Sequence, residues 1–158
     1  MAPTCPKCNL IARLTNGAEV YPHRRDLHEK PIWKCDGCGG YVGCHPGTTQ
    51  PLGTPADAEL RKARMLLHEQ MIDPIWKNAW RDPAYDRPDG TRPKRKTVSR
   101  IARTRVYEFL ADRLGLTRDE THTGMFDLET CRRAWRALQG VTYSQIRDWA
   151  RQRRKEAA

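Results

Sequence analysis

The chain has 158 residues, 38% of them hydrophobic and 30% charged, with a net charge of +10. That length suits one compact domain or two small ones, and so polar a composition leaves little apolar surface to bury, so a staple such as a bound metal is expected. No run approaches the roughly 20 apolar residues that span a bilayer, and the start "MAPTCPKCNL" has neither a basic nor an apolar leader segment. The expectation is therefore a cytoplasmic chain of a bacterial host cell, where paired cysteines bind metal more often than they form disulfides.

Cys5-Pro-Lys-Cys8 lies near the start of the sequence, and Cys35-Asp-Gly-Cys38 follows with 26 residues between the two pairs. Two residues between cysteines let a tight turn aim both thiolates at one ion, and two such pairs supply the four sulfurs of a tetrahedral zinc site. Pro6 stiffens the first turn, and Gly37, Gly39 and Gly40 free the second. Between the pairs, "EVY" and "IWK" read as strands on either side of the loop "HRRDLHEKP". The expected product is a zinc ribbon over residues 1–53, an antiparallel β unit holding one structural Zn²⁺ by Cys5, Cys8, Cys35 and Cys38. A redox CxxC needs one pair beside a βαβ pattern, and the chain has neither feature. Cys44 and His45 are surplus. "YVGC" alternates like a third strand, which makes Cys44 a packing residue.

Residues 54–80 read as a helical connection packed on the ribbon. Thr54 is placed to cap it, Pro55 starts it, and Ala56, Leu60, Ala63, Leu67 and Met71 share one face. Trp76 and Trp80 follow four residues apart on a short helix restarted at Asp73-Pro74, and are read as core. Residues 81–96, "RDPAYDRPDGTRPKRK", form a Pro-rich basic linker.

Residues 97–158 read as a basic helical domain. Val98, Ala102, Val106, Phe109, Leu110 and Leu114 lie along one side of a helix that stops at Gly115. Thr117-Arg-Asp-Glu120 is a capping box, so this stretch has the pattern of the first half of a helix-turn-helix. A further helix runs from Asp127 to Gly140 with Leu128, Cys131, Trp135 and Leu138 inward. The last one opens on a Thr142/Gln145 box. The fold class is thus α+β, a small N-terminal ribbon followed by a mainly α-helical region.

The charge is uneven. Residues 1–86 carry 11 Lys+Arg against 10 Asp+Glu, whereas residues 87–158 carry 18 against 9. A zinc–tetrathiolate centre adds about −2 to the first half. The second half is therefore the part that attracts a polyanion. Candidate phosphate contacts are Arg92, Lys94, Arg95, Lys96, Arg100, Arg103, Arg132, Arg133, Arg136, Arg147 and Arg151.

The knuckles, with "YVGCHPGTTQPLGTPADAELRKAR", "RTRVYEFLADRLGL" and "HTGMFDLETCRR", give the chain a resemblance over most of residues 5–136. It resembles the zinc-finger-containing domain family of phages and prophages. The runs Tyr41–Gly53 and Gly124–Asp127 carry the resemblance most specifically. It implies a zinc-ribbon N-terminus, an α-helical remainder and a viral or prophage setting, and it brings no activity with it. In the family pattern the position of Cys44 holds an apolar residue, which agrees with packing.

Three function classes follow. The leading one is a nucleic-acid-binding accessory protein of phage replication or transcription. The alternative is an interaction module for a host protein such as RNA polymerase or a defence complex. A nuclease comes third. It would need His45, His68 and His122 to converge beside an open metal position, and no catalytic motif appears. No catalytic residue is assigned, and the chain is read as a non-enzyme.

Overall fold

The computed structural model describes residues 1–157. It forms two compact units, Met1–Arg64 with Thr123–Asp127, and Met65–His122 with Leu128–Ala158. No helix among the described residues is long and apolar enough to cross a membrane.

The first unit is built on a three-stranded antiparallel sheet in the order β1 (Arg13–Asn16), β2 (Pro31–Lys34), β3 (Tyr41–Gly43). Leu14 stands opposite Trp33, and Trp33 opposite Val42. The first strand lies earlier than "EVY". Asn16 ends β1 because its side chain accepts hydrogen bonds from the Ala18 and Glu19 amides, which starts the helical turn α1 (Gly17–Val20). Glu19 and Val20 are thus helical rather than extended. The long connection then returns to β2, with the Gly17 amide held by the Lys30 carbonyl at 3.0 Å.

After β3 the chain doubles back. Cys44 bridges to Pro51, Ala56 bridges to Tyr41, and α2 (Ala58–Leu66) begins. Its cap is Asp57, not Thr54: the Asp57 carboxylate accepts from the Leu60 amide at 3.0 Å. Thr54 serves another contact. Its amide donates to the Gly124 carbonyl at 2.9 Å, and Arg64 donates from Nη1 to the Thr54 carbonyl and from Nε to that of Phe126. A side chain at Gly53 would run into the Gly124 carbonyl, so the two backbones can approach only there. The runs "PLGT" and "GMF", 70 residues apart in sequence and both marked by the family resemblance, thus form one contact of this unit. Its buried apolar residues are few: Ala12, Ile32, Pro55, Ala56 and Phe126, with the sulfurs of Cys5 and Cys35.

The second unit is helical. A six-residue π turn (Leu67–Ile72) leads into α3 (Asp73–Asn78), and helical geometry runs through Asp73-Pro74 rather than restarting there. Pro74 has no N–H to bond back, and the wider turn before it accommodates that loss. The central element is α4 (Arg95–Leu114), which packs on α3, α5 (Leu128–Leu138) and α6 (Tyr143–Glu156). Val98, Ala102, Val106, Phe109, Leu110 and Leu114 are all buried, as their spacing predicts, and Gly115 closes α4 in the left-handed conformation. Trp76 and Trp80 pack half-buried against Ala79, Val98, Ala102 and Tyr143.

The expected helix-turn-helix does not form. Thr117 and Glu120 make both reciprocal cap bonds, but only a turn follows. The Thr121 amide and hydroxyl both bond the Thr117 carbonyl, at 3.1 and 2.7 Å, but the next amide, that of His122, turns to the Glu120 carbonyl at 2.9 Å and the helical pattern stops. The next helix, α5, starts at Leu128. The Thr142/Gln145 capping box is complete and opens α6.

Candidate metal centre and basic helical face

The two CxxC turns have the same backbone. In the first, the Cys5 amide donates to the Leu10 carbonyl and the Asn9 amide to the Cys5 carbonyl, both at 2.8 Å. In the second, the Cys35 amide donates to Gly40 at 2.7 Å and the Gly39 amide to Cys35 at 2.8 Å. Each turn closes on a left-handed residue, Asn9 at φ 55° and Gly39 at φ 70°. Asparagine tolerates that region better than most side chains, so "CPKCN" can match "CDGCG".

These turns bring the sulfurs of Cys5, Cys8, Cys35 and Cys38 within 4.8 Å of one another, and among the described residues no other side chain joins the group. The Cys5 and Cys38 sulfurs are 3.6 Å apart. A tetrahedral ion with metal–sulfur bonds of about 2.3 Å needs sulfurs roughly 3.8 Å apart, so this donor set fits one ion and leaves no open position. The thiols are not equivalent. The Cys38 and Gly37 amides stabilise the Cys35 thiolate and, against burial, lower its pKa to about 7. Hydrogen bonding with Cys38, burial and the neighbouring thiols push Cys8 up to about 12. A metal ion replaces the shared protons and favours all four thiolates.

Each knuckle is also tied to the ribbon by the charged residue inside it. Asp36 receives Arg13 at 3.0 Å through both oxygens, and the same guanidinium grips Glu19. Lys7 reaches Asp57 at 3.0 Å. Sequence reading did not find these clamps. The charges inside the CxxC turns were visible, but their partners were not. Cys44 stands outside the group, half-buried beside Trp33, with burial raising its thiol pKa.

The predicted phosphate contacts divide sharply. Arg147 is a correction. Its guanidinium is buried, 2.5 Å from the equally buried Asp82 and 3.1 Å from Asp148, and it belongs to the interior. Arg92 pairs with Asp86 and donates to the Trp80 carbonyl at 2.8 Å. Arg133 donates to the Leu114 carbonyl at 2.6 Å, at the end of α4. Arg132 and Arg136 both turn to Glu129. Arg151 is exposed on α6.

Lys94, Arg95, Lys96, Arg100 and Arg103 differ from these. All are exposed, and none meets a carboxylate among the described residues. Lys96, Arg100 and Arg103 recur at i, i+4 and i+7, so they share one face of α4. One cation that the sequence did not point to, Arg118, extends this face, whereas the neighbouring Lys77 is paired with Asp73 at 2.8 Å. Arg103 lies over the rings of Trp76 and Tyr107, Arg118 lies over Tyr107 at 5.1 Å, and Lys77 lies over Trp76 at 5.3 Å.

Residues 1–89 and 93–141 match the family described as zinc-finger-containing domain, and the chain belongs to that family. No curated protein and no solved structure matches it.

Proposed function

We propose that this chain is a zinc-ribbon protein that binds nucleic acid through the basic face of α4, as an accessory protein of a phage or prophage. The four-cysteine group and the family description support zinc as the ion. It would be structural, because a closed four-thiolate set offers no position for substrate. The chain is read as a binder, not an enzyme.

The observation that carries the nucleic-acid reading is the start of α4. Its N-cap, Lys94, makes no side-chain cap bond, and its first turn holds no acidic residue. Instead Lys94, Arg95 and Lys96 crowd the positive end of the helix dipole, where anions are favoured and cations are not. Such local conflict is expected where a ligand resolves it. Phosphate groups supply the missing negative charge and acceptors.

The test is fluorescence anisotropy with a labelled oligonucleotide at several salt concentrations. Affinity should fall steeply with salt, and replacing Lys94, Arg95 and Lys96 together should flatten the slope by up to about three, near one per lost phosphate contact. Affinity no tighter than that of an unrelated protein of equal charge contradicts the reading.

A second reading, docking on a host protein such as RNA polymerase, draws on the ribbon. Leu10, Ile11 and Leu14 are 50%, 74% and 43% exposed close to the metal group. Recovery of one stoichiometric partner from bacterial lysate after nuclease treatment would favour it.

A further inference from the structure

Resting on the nucleic-acid reading above, we infer that the ligand is double-helical DNA, gripped by its two phosphate backbones with α4 laid across the major groove. The inference comes from what the face lacks as well as from what it presents.

Proteins that hold single strands offer bare aromatic rings on which bases stack. The rings near α4 are not bare. Trp76 has its indole N–H on the Asp73 carboxylate at 2.9 Å, and Lys77 and Arg103 lie over its ring. Trp80 lies under Arg81 and Arg95, at 5.4 and 5.1 Å. Tyr107 is buried, with Arg118 and Arg103 above it. Tyr85 and Tyr143 stack on each other with their hydroxyls 2.6 Å apart. Each of these rings thus has a cation or a second ring against it. The surface shows charge to solvent, not a stacking platform, and charge reads backbone rather than base.

The dimensions select the duplex. From Lys96 to Arg103 the helix rises about 10 Å, and the side chains at the two ends add reach in both directions. The B-form major groove is about 12 Å wide and admits an α-helix. A helix crossing it can set Lys96 against one phosphate line and Arg103 against the other, with Arg100 between them. Arg118 widens the Arg103 end. A single strand has only one phosphate line. An RNA duplex has a major groove too narrow and deep for a helix. Between the two ends Arg100 is the one side chain long enough to reach a base edge, beside the short Ser99 and Thr104, so binding should depend only weakly on sequence.

The test compares the full-length protein on three ligands of one mixed sequence: a 20-base-pair DNA duplex, the corresponding RNA duplex, and the single DNA strand. Two variants accompany it. One carries Lys96→Ala, Arg100→Ala and Arg103→Ala; the other removes equal charge from the ribbon by Arg24→Ala, Arg25→Ala and Lys30→Ala. The expected result is duplex DNA bound at least several-fold tighter than either other ligand. The α4 variant should lose this preference along with most of the affinity, and the ribbon variant should keep both. Equal or tighter binding to the single strand or to RNA overturns the duplex assignment and leaves the nucleic-acid reading standing. Equal losses in the two variants, or no binding to any ligand, overturns both.

Discussion

Four cations of the first unit have carboxylates to meet: Arg13 with Glu19 and Asp36, Lys34 with Glu19, Lys7 with Asp57, Arg24 with Asp26. At the start of α4, five cations in ten residues have none among the described residues. The two units also differ in what lies beneath the charge. The ribbon buries few apolar side chains and two of its cysteines, whereas the helical unit buries a row of Leu, Ile, Val and Phe along α4 and α6. A unit with a thin core uses its charges to fix its own turns around a metal; a unit with an adequate core can leave charges unpaired for a ligand.

The comparison breaks most visibly at the cysteines. Replacing Cys5, Cys8, Cys35 or Cys38 with Ser should release the single zinc ion and unfold the ribbon, since metal binding and folding are coupled in such units. Cys44→Ala should retain the ion. Elemental analysis with circular dichroism reads both outcomes, and purified wild-type protein without zinc would refute the ribbon half of the comparison. Next in size is the interior of the helical unit. Arg147→Ala leaves the Asp82 carboxylate buried without its guanidinium, which should destabilise the unit by about 3 kcal/mol in urea denaturation. A change near zero would return Arg147 to the surface set. The smallest effect is expected at Arg13. Arg13→Ala frees Asp36 inside the second knuckle, but the pair is largely exposed, so zinc affinity in a chelator competition should fall by less than the roughly 10–100-fold typical of outer-shell partners. A full loss of zinc would mean that the charge clamp, not the thiolates, holds the knuckle.

Part of this was legible in the sequence. The metal group could be read because two residues between cysteines fix local geometry wherever the turns end up. The buried side of α4 could be read because six apolar residues repeat at helical spacing over 17 positions. The strand ahead of the long loop was misplaced because its end depends on Asn16 capping a single turn, a contact that hydrophobic pattern does not register. The turn after Thr117 differs from the expected helix because a capping box fixes only where a helix can start, and the His122 amide turning back to Glu120 is not visible in the sequence. Arg147 looked like its neighbours because its partner, Asp82, lies 65 residues away. The free cations of α4 could be counted from sequence but not distinguished from those of α5, which Glu129 and the Leu114 carbonyl engage.

The most direct test of the division of labour removes the metal and follows the nucleic acid. A strong chelator is added to the full-length protein, and zinc content, helical circular dichroism and duplex-DNA anisotropy are recorded on the same samples. The account predicts that zinc leaves and the ribbon's structure is lost while most of the helical signal and of the DNA affinity remain. DNA affinity that disappears in step with zinc, with the helical signal intact, would place the binding surface on the ribbon and contradict the account.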